Sequence, residues 1–161
     1  MPQTIQATVD PHLLRELPRF FGGSVAIIRE VIQNAVRAGA STLEITLDGD
    51  VLTFADNGCG LDNPELLLRV ARSGWGEGVQ HPAGMGVLST LGEDFSRSVT
   101  FGSHDWRFSL TFKDFASQTP ITVQAQTAQT GFTLTLPTPK GGGFLRSCRP
   151  LHALGIPSLN G

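Results

Sequence analysis

Cysteine is scarce in this 161-residue chain, with only Cys59 and Cys148 present. They stand far apart and form no C-x-x-C pair, which excludes a cysteine-based zinc site or redox motif and makes a reducing cytoplasm the expected compartment. The four histidines, His12, His81, His104 and His152, form no cluster with ligand spacing, so no metal centre built on histidine is expected. No apolar run approaches the roughly 20 residues that cross a bilayer. The opening "MPQTIQATVDPHLL" lacks the basic and apolar regions of a secretory signal. Charge of either sign is sparse, 12 Lys and Arg against 14 Asp and Glu, and a formal charge of −2 gives no electrostatic footprint for nucleic acid. Internal repeats are absent. What is there is a 40% hydrophobic chain, soluble and globular in composition, long enough to bury a sizeable core as one domain.

The order of elements is readable. "DPHLLRELPRF" predicts a short helix with Asp10 as cap and Pro11 at its first position. "SVAIIREVIQNAVRAGAS" predicts a longer one, capped by Ser24 and stopped by Gly39. "TLEITLDGDVLTFAD" reads as two alternating strands joined at an Asp-Gly turn. "NPELLLRVAR" reads as a helix, "SGWGEGVQHPAGMG" as a glycine-rich loop and "VLSTLG" as a short helix. The remainder, "SRSVTFG", "WRFSLTFKDF", "PITVQAQ" and "GFTLTLP", alternates with period two and predicts strands, with Phe101, Trp106, Phe108 and Phe112 as core or sheet-face residues. Beyond Pro137 the chain is rich in glycine and proline without a period; its "KGGG" lacks the spacing of a phosphate-binding P-loop. The expected fold class is therefore α+β, an antiparallel sheet with helices on one face.

Three short stretches carry more than structure. On a helical wheel of the second helix, Val25, Ile28, Ile32 and Ala35 share one face, while Glu30, Asn34 and Arg37 share the opposite one. Glu30 and Asn34, four apart, are neighbours. The bland reading of that face is simple exposure to water. "DNGCG", residues 56 to 60, follows an apolar strand; it is either an ordinary Asx turn or a permissive backbone against which a ligand lies. Cys59 within it reads as a small packing residue. In "GMGVLST", Gly84 and Gly86 precede a short helix whose free N–H groups suit an anion.

Taken in order, these segments resemble the GHKL ATPases: gyrase B subunits, MutL proteins, ninety-kilodalton heat-shock chaperones and sensor histidine kinases. "REVIQNAVRAGAS" resembles the family's first motif, "DNGCG" its second, "AGMGVLST" its third and "QTGFTLTLP" its last, so the resemblance spans about residues 24 to 137. It implies the Bergerat fold, a two-layer α/β sandwich with a mixed, mostly antiparallel sheet, over residues 1–137, followed by a tail over 138–161. It also implies ATP and Mg²⁺ as cofactors. Asp56 would accept the exocyclic amine of adenine, with Gly58 and Gly60 letting the backbone pass close to base and sugar. Asn34 would give its amide oxygen to Mg²⁺. Gly84, Met85, Gly86 and Val87 would meet the phosphates, and Thr130 would help hold Asp56 and a water. Glu30, where histidine kinases usually carry Asn, places the chain nearer the MutL and heat-shock branch and would activate the attacking water.

Two departures stand out. Arg37 replaces the Asp that this branch usually carries three residues after Asn34, and a phosphate contact is the role expected of it; Gln129 replaces a usual Gly. Relatives that hydrolyse ATP efficiently take a lysine from a second domain, whereas here Lys140 is the one lysine after residue 137. The expectation is ATP binding with slow hydrolysis that depends on a protein partner or a missing second domain, with a homodimer as a separate expectation. The short loop over 73–83, with Trp75 shielding it, would be the lid. The alternatives are a nucleotide-dependent interaction module without turnover, and a serine or histidine kinase-type ATP-binding domain.

Overall fold

A computed structural model describes residues 3–6, 24–68 and 97–138. Outside them lie the helix expected over 10–20, the loop 73–83 with Trp75, the third motif with Gly84, Met85, Gly86 and Val87, the short helix after it, and the tail beyond 138.

The described elements are β1 (Gln3–Ile5), α1 (Ser24–Arg37), β2 (Leu43–Asp48), β3 (Val51–Asp56), a 3₁₀ turn (Pro64–Leu67), β4 (Ser98–Ser103), β5 (Trp106–Thr111), α2 (Phe112–Ala116), β6 (Ile121–Ala125) and β7 (Phe132–Pro137). The strands form one seven-stranded sheet in the order β1-β6-β5-β4-β7-β3-β2. Every described pairing is antiparallel, so the mixed sheet expected from the resemblance is replaced, among these residues, by a wholly antiparallel one. Two pairings follow directly from two-residue hairpin loops, which can only join antiparallel neighbours. The β2–β3 loop has Gly49 at φ 57, the positive φ that a type II′ turn requires at its first central residue.

Period-two alternation decides what the sheet buries. One row across five strands runs Ile45, Phe54, Leu134, Phe101 and Phe108, paired in register, with the last four buried. The Phe101 and Phe108 rings lie 5.3 Å apart and Trp106 stacks on Phe108 at 5.8 Å. One residue along, the row reads Thr46, Thr53, Thr135, Thr100 and Ser109 on the opposite face. There the hydroxyls of Thr53 and Thr135 stand 3.3 Å apart and those of Thr100 and Ser109 2.7 Å apart. The apolar face is the core, and α1 packs on it through Ile28 and Val31.

Helix α1 starts at the residue expected as its cap and ends as Gly39 dictates. Gly39 has φ 69; its N–H donates to the Val36 carbonyl at 3.0 Å, and the Ala40 N–H to that of Ala35 at 3.0 Å. This pair of bonds is the Schellman ending, with Ala35 and Ala40 both buried beneath it. The wheel reading needs correction: the stripe that packs on the core runs through the half-buried Ile28 and Val31 and the buried Ala35, while Ile32 is exposed together with Val36. At about 100° per residue, Asn34 then borders the buried stripe instead of opposing it.

Two other expectations change. Trp106 to Phe115 is not one strand: at Thr111 the chain turns into α2, because Thr111 and Asp114 form a reciprocal capping box. Thr111 Oγ1 and its backbone N–H both donate to Asp114 Oδ2, at 2.7 and 2.9 Å. Phe112 therefore packs on the core from a helix, and Phe115 is fully buried. Strand β1, unforeseen in the sequence, extends the sheet by pairing Ile5 with Ile121. No helix among the described residues is long and apolar enough to cross a membrane.

Candidate functional site

The end of β3 carries Asp56 into a cavity of about 60 Å³ between α1 and the apolar face of the sheet. Its walls are Leu43, Phe54, Leu67, Phe101, Phe132 and Leu134, with Val31 from the helix. Three polar side chains line it as well: Glu30 and Asn34, one turn apart on α1, and Asp56. The structure thus brings together residues 22 to 26 positions apart in the chain. Apolar walls with a few convergent polar groups are the lining, though at a smaller volume, of a usual small-molecule site.

Asp56 is held by its own loop. Its Oδ1 accepts the Gly58 N–H at 2.9 Å, and Oδ2 has no protein partner among the described residues. One carboxylate oxygen is thereby used for positioning, and the other is left for a donor.

The DNGCG segment and Leu61 after it are stitched to the 41–42 loop, the end of α1, β4 and β5. Asn57 Oδ1 accepts the N–H groups of Ser41 and Thr42, each at 2.9 Å, while its amide donates to the Ser41 hydroxyl, also at 2.9 Å. The Cys59 N–H donates to the Ala38 carbonyl at the end of α1 (2.9 Å). Leu61 gives its N–H to Ser103 Oγ at 2.9 Å and takes the Trp106 indole N–H on its carbonyl at 2.8 Å. Ser103, fully buried, donates its hydroxyl hydrogen bond to the Gly131 carbonyl at 2.7 Å.

The glycines explain why this packing is possible. A Cβ on Gly58 would lie 2.6 Å from the Ala38 Cβ. One on Gly131, whose φ is 78, would lie 2.7 Å from the Asp56 carbonyl carbon and closer still to its oxygen. The close approaches among described residues are thus made to the chain itself, and they fix where Asp56 stands.

Sequence reasoning missed the residues that do this fixing: Asn57, Ser103, Gly131 and the indole of Trp106. Gly131 had a signal, as a glycine opening an alternating strand; Ser103 had none, because its value lies in two long-range bonds. Thr130 is exposed and is not in the cavity wall, one residue before Gly131. Gln129 Nε2 donates to Thr133 Oγ1 at 3.0 Å.

Arg37 is exposed at the end of α1, and its Nη1 donates to Asn34 Oδ1 at 3.3 Å. That oxygen is the one a Mg²⁺ would take. With a guanidinium on it, this donor set does not fit a divalent cation, since two cations on one oxygen repel. Among the described residues no group of three His, Cys, Asp or Glu could hold a metal ion.

No protein-family model matches the chain. Over short stretches it is similar to DNA mismatch repair protein MutL of three bacteria. It is 47% identical to that of Allorhizobium ampelinum over 27% of this chain, 44% to that of Phenylobacterium zucineum over 28%, and 34% to that of Proteus mirabilis over 29%. The match spans 8% of each relative's length. Among solved structures, the N-terminal domain of a DNA repair protein superposes with a TM-score of 0.51 at 19% identity, covering 74% of this chain and 37% of that one. These likenesses support a MutL-like fold, an antiparallel sheet with few helices, for part of the chain.

Proposed function

We propose that this chain is an ATP-binding domain of the MutL-like GHKL type, built as the two-layer sandwich of the Bergerat fold, with slow hydrolysis that depends on a partner. The observation that carries the proposal is Asp56: a carboxylate at the edge of an apolar slot, with Oδ1 committed to the Gly58 N–H and Oδ2 without a partner among the described residues. Such an acceptor selects a base that offers an exocyclic amine, as adenine does, over one that offers a carbonyl at the same place, as guanine does. A hydrogen bond to a charged group in such a site contributes about 1.5–3 kcal/mol. The aromatic walls, Phe54, Phe101 and Phe132, suit a flat heterocycle.

In the same reading Glu30, across the cavity on α1, is the general base. It takes a proton from water as the water oxygen bonds to the γ-phosphorus and the bond from that phosphorus to the bridging oxygen of ADP breaks. Glu30 lines the same cavity as Asp56, and this shared lining supports the role. The MutL likeness supports the nucleotide-binding part of the proposal.

The test is titration calorimetry of ATP against the parent chain, the Asp56→Asn variant and the Glu30→Ala variant. The expected result is binding by the parent, about ten- to hundredfold weaker binding by Asp56→Asn, and binding without turnover by Glu30→Ala. A folded parent that takes no ATP overturns the proposal. Unchanged turnover in Glu30→Ala overturns the hydrolytic step alone and leaves a nucleotide-dependent binding module.

A further inference from the structure

We infer that the Arg37 guanidinium takes the charge-neutralising place of a divalent cation, so that the cleft accepts a nucleoside triphosphate in its metal-free form. The inference rests on the nucleotide reading of the cleft and deepens it. Its basis is the 3.3 Å bond from Arg37 Nη1 to Asn34 Oδ1. Asn34 lines the cleft, so this bond anchors a positive charge beside it.

Three features make the placement durable. Arg37 is the last residue of α1, where the negative end of the helix dipole favours a cation. The Schellman ending at Gly39 fixes the backbone from which the side chain springs. Asn34 and Arg37 are three apart, so they are neighbours on the helix surface without any rearrangement.

The chemistry separates the two cations. Mg²⁺ asks for hard oxygen ligands in near-octahedral geometry, and an amide oxygen already accepting from a guanidinium is a poor one. Arginine asks for nothing further from the protein. It presents five N–H donors in a planar fork, of which one is spent on Asn34 and the rest suit phosphate oxygens. With Asn34 as anchor, the triphosphate is met by a guanidinium held at one end, and Asp56 reads the base at the other.

The experiment is ATP binding by calorimetry on the parent chain, Arg37→Ala and Arg37→Lys, each in EDTA and in excess Mg²⁺, with circular dichroism to confirm folding. The expected parent affinity in EDTA matches that in Mg²⁺ within about threefold. Arg37→Ala should lose about ten- to hundredfold in EDTA and regain part of it when Mg²⁺ is added, because Asn34 Oδ1 is then free. Arg37→Lys should fall between the two. Parent binding that tightens about tenfold or more with Mg²⁺ overturns the inference while leaving the nucleotide reading intact, and so does an Arg37→Ala affinity unchanged in EDTA. Failure of a folded parent to bind ATP under either condition overturns both.

Discussion

Gly131→Ala tests the arrangement of the site most directly. The substitution adds one methyl group at a residue with φ 78, at the entry to β7. Two costs follow. A side-chain-bearing residue in the left-handed region costs about 1–2 kcal/mol. The new Cβ would also stand 2.7 Å from the Asp56 carbonyl carbon and 2.9 Å from the Asn57 Cα, where carbons settle at about 3.5–4.0 Å. Both neighbours are backbone, so no side chain can swing aside; the β7 entry and the 56–57 segment must part by roughly an ångström. Overpacking of that kind costs about 1–3 kcal/mol.

Gly49→Ala separates the two terms. Gly49 has φ 57, so it carries the conformational cost, but a Cβ there meets nothing within 4 Å. In urea titrations with matched m-values, Gly49→Ala should lose about 1–2 kcal/mol and Gly131→Ala about 2–5 kcal/mol. Because the displaced segment includes Asp56, Gly131→Ala should also lose nucleotide affinity, and Gly49→Ala should keep it. Equal destabilisation by the two, within about 0.5 kcal/mol, would refute the contact between Gly131 and the Asp56 carbonyl on which the placement of the acid depends.

Further outcomes are expected. Ser103→Ala strands the Leu61 N–H and the Gly131 carbonyl, each costing about 1–3 kcal/mol when buried without a partner; a loss below about 0.5 kcal/mol in urea titration would mean the bridge does not form. Asp114→Ala removes the capping box of α2 and should cost about 1 kcal/mol at pH 7. The Thr111 hydroxyl and then the Thr111 N–H hold the Asp114 carboxyl below its ordinary range. That contribution is therefore complete above the ordinary carboxylate pKa and is lost as pH falls through the lowered folded value. The parent and the variant should converge in acid, and a stability gap that widens toward low pH would contradict this.

Much of the fold was written locally. Strands β2 to β7 follow from alternation, because a half-buried strand must present apolar residues to one side. The end of α1 follows from Gly39, because a residue with positive φ stops the helix and recruits the last carbonyls. The acid, the amide and the second carboxylate of the site were legible as motifs in a fixed order. The tertiary structure decided the rest, since each remaining choice depends on residues distant in the chain. Packing on the sheet half-buried Val31 and left Ile32 exposed, turning Asn34 to the border of the core. Thr111 and Asp114 ended a strand that alternation alone would have continued to Phe115. Ser103, Gly131 and Trp106 became the supports of the DNGCG loop only when β4, β5 and β7 met it, and no period in the sequence encodes such a meeting. The motifs, through their resemblance to the GHKL ATPases, named the groups that could do chemistry here; the hydrogen bonds and close approaches between distant segments determined where Asp56 stands and which of its oxygens has no partner among the described residues.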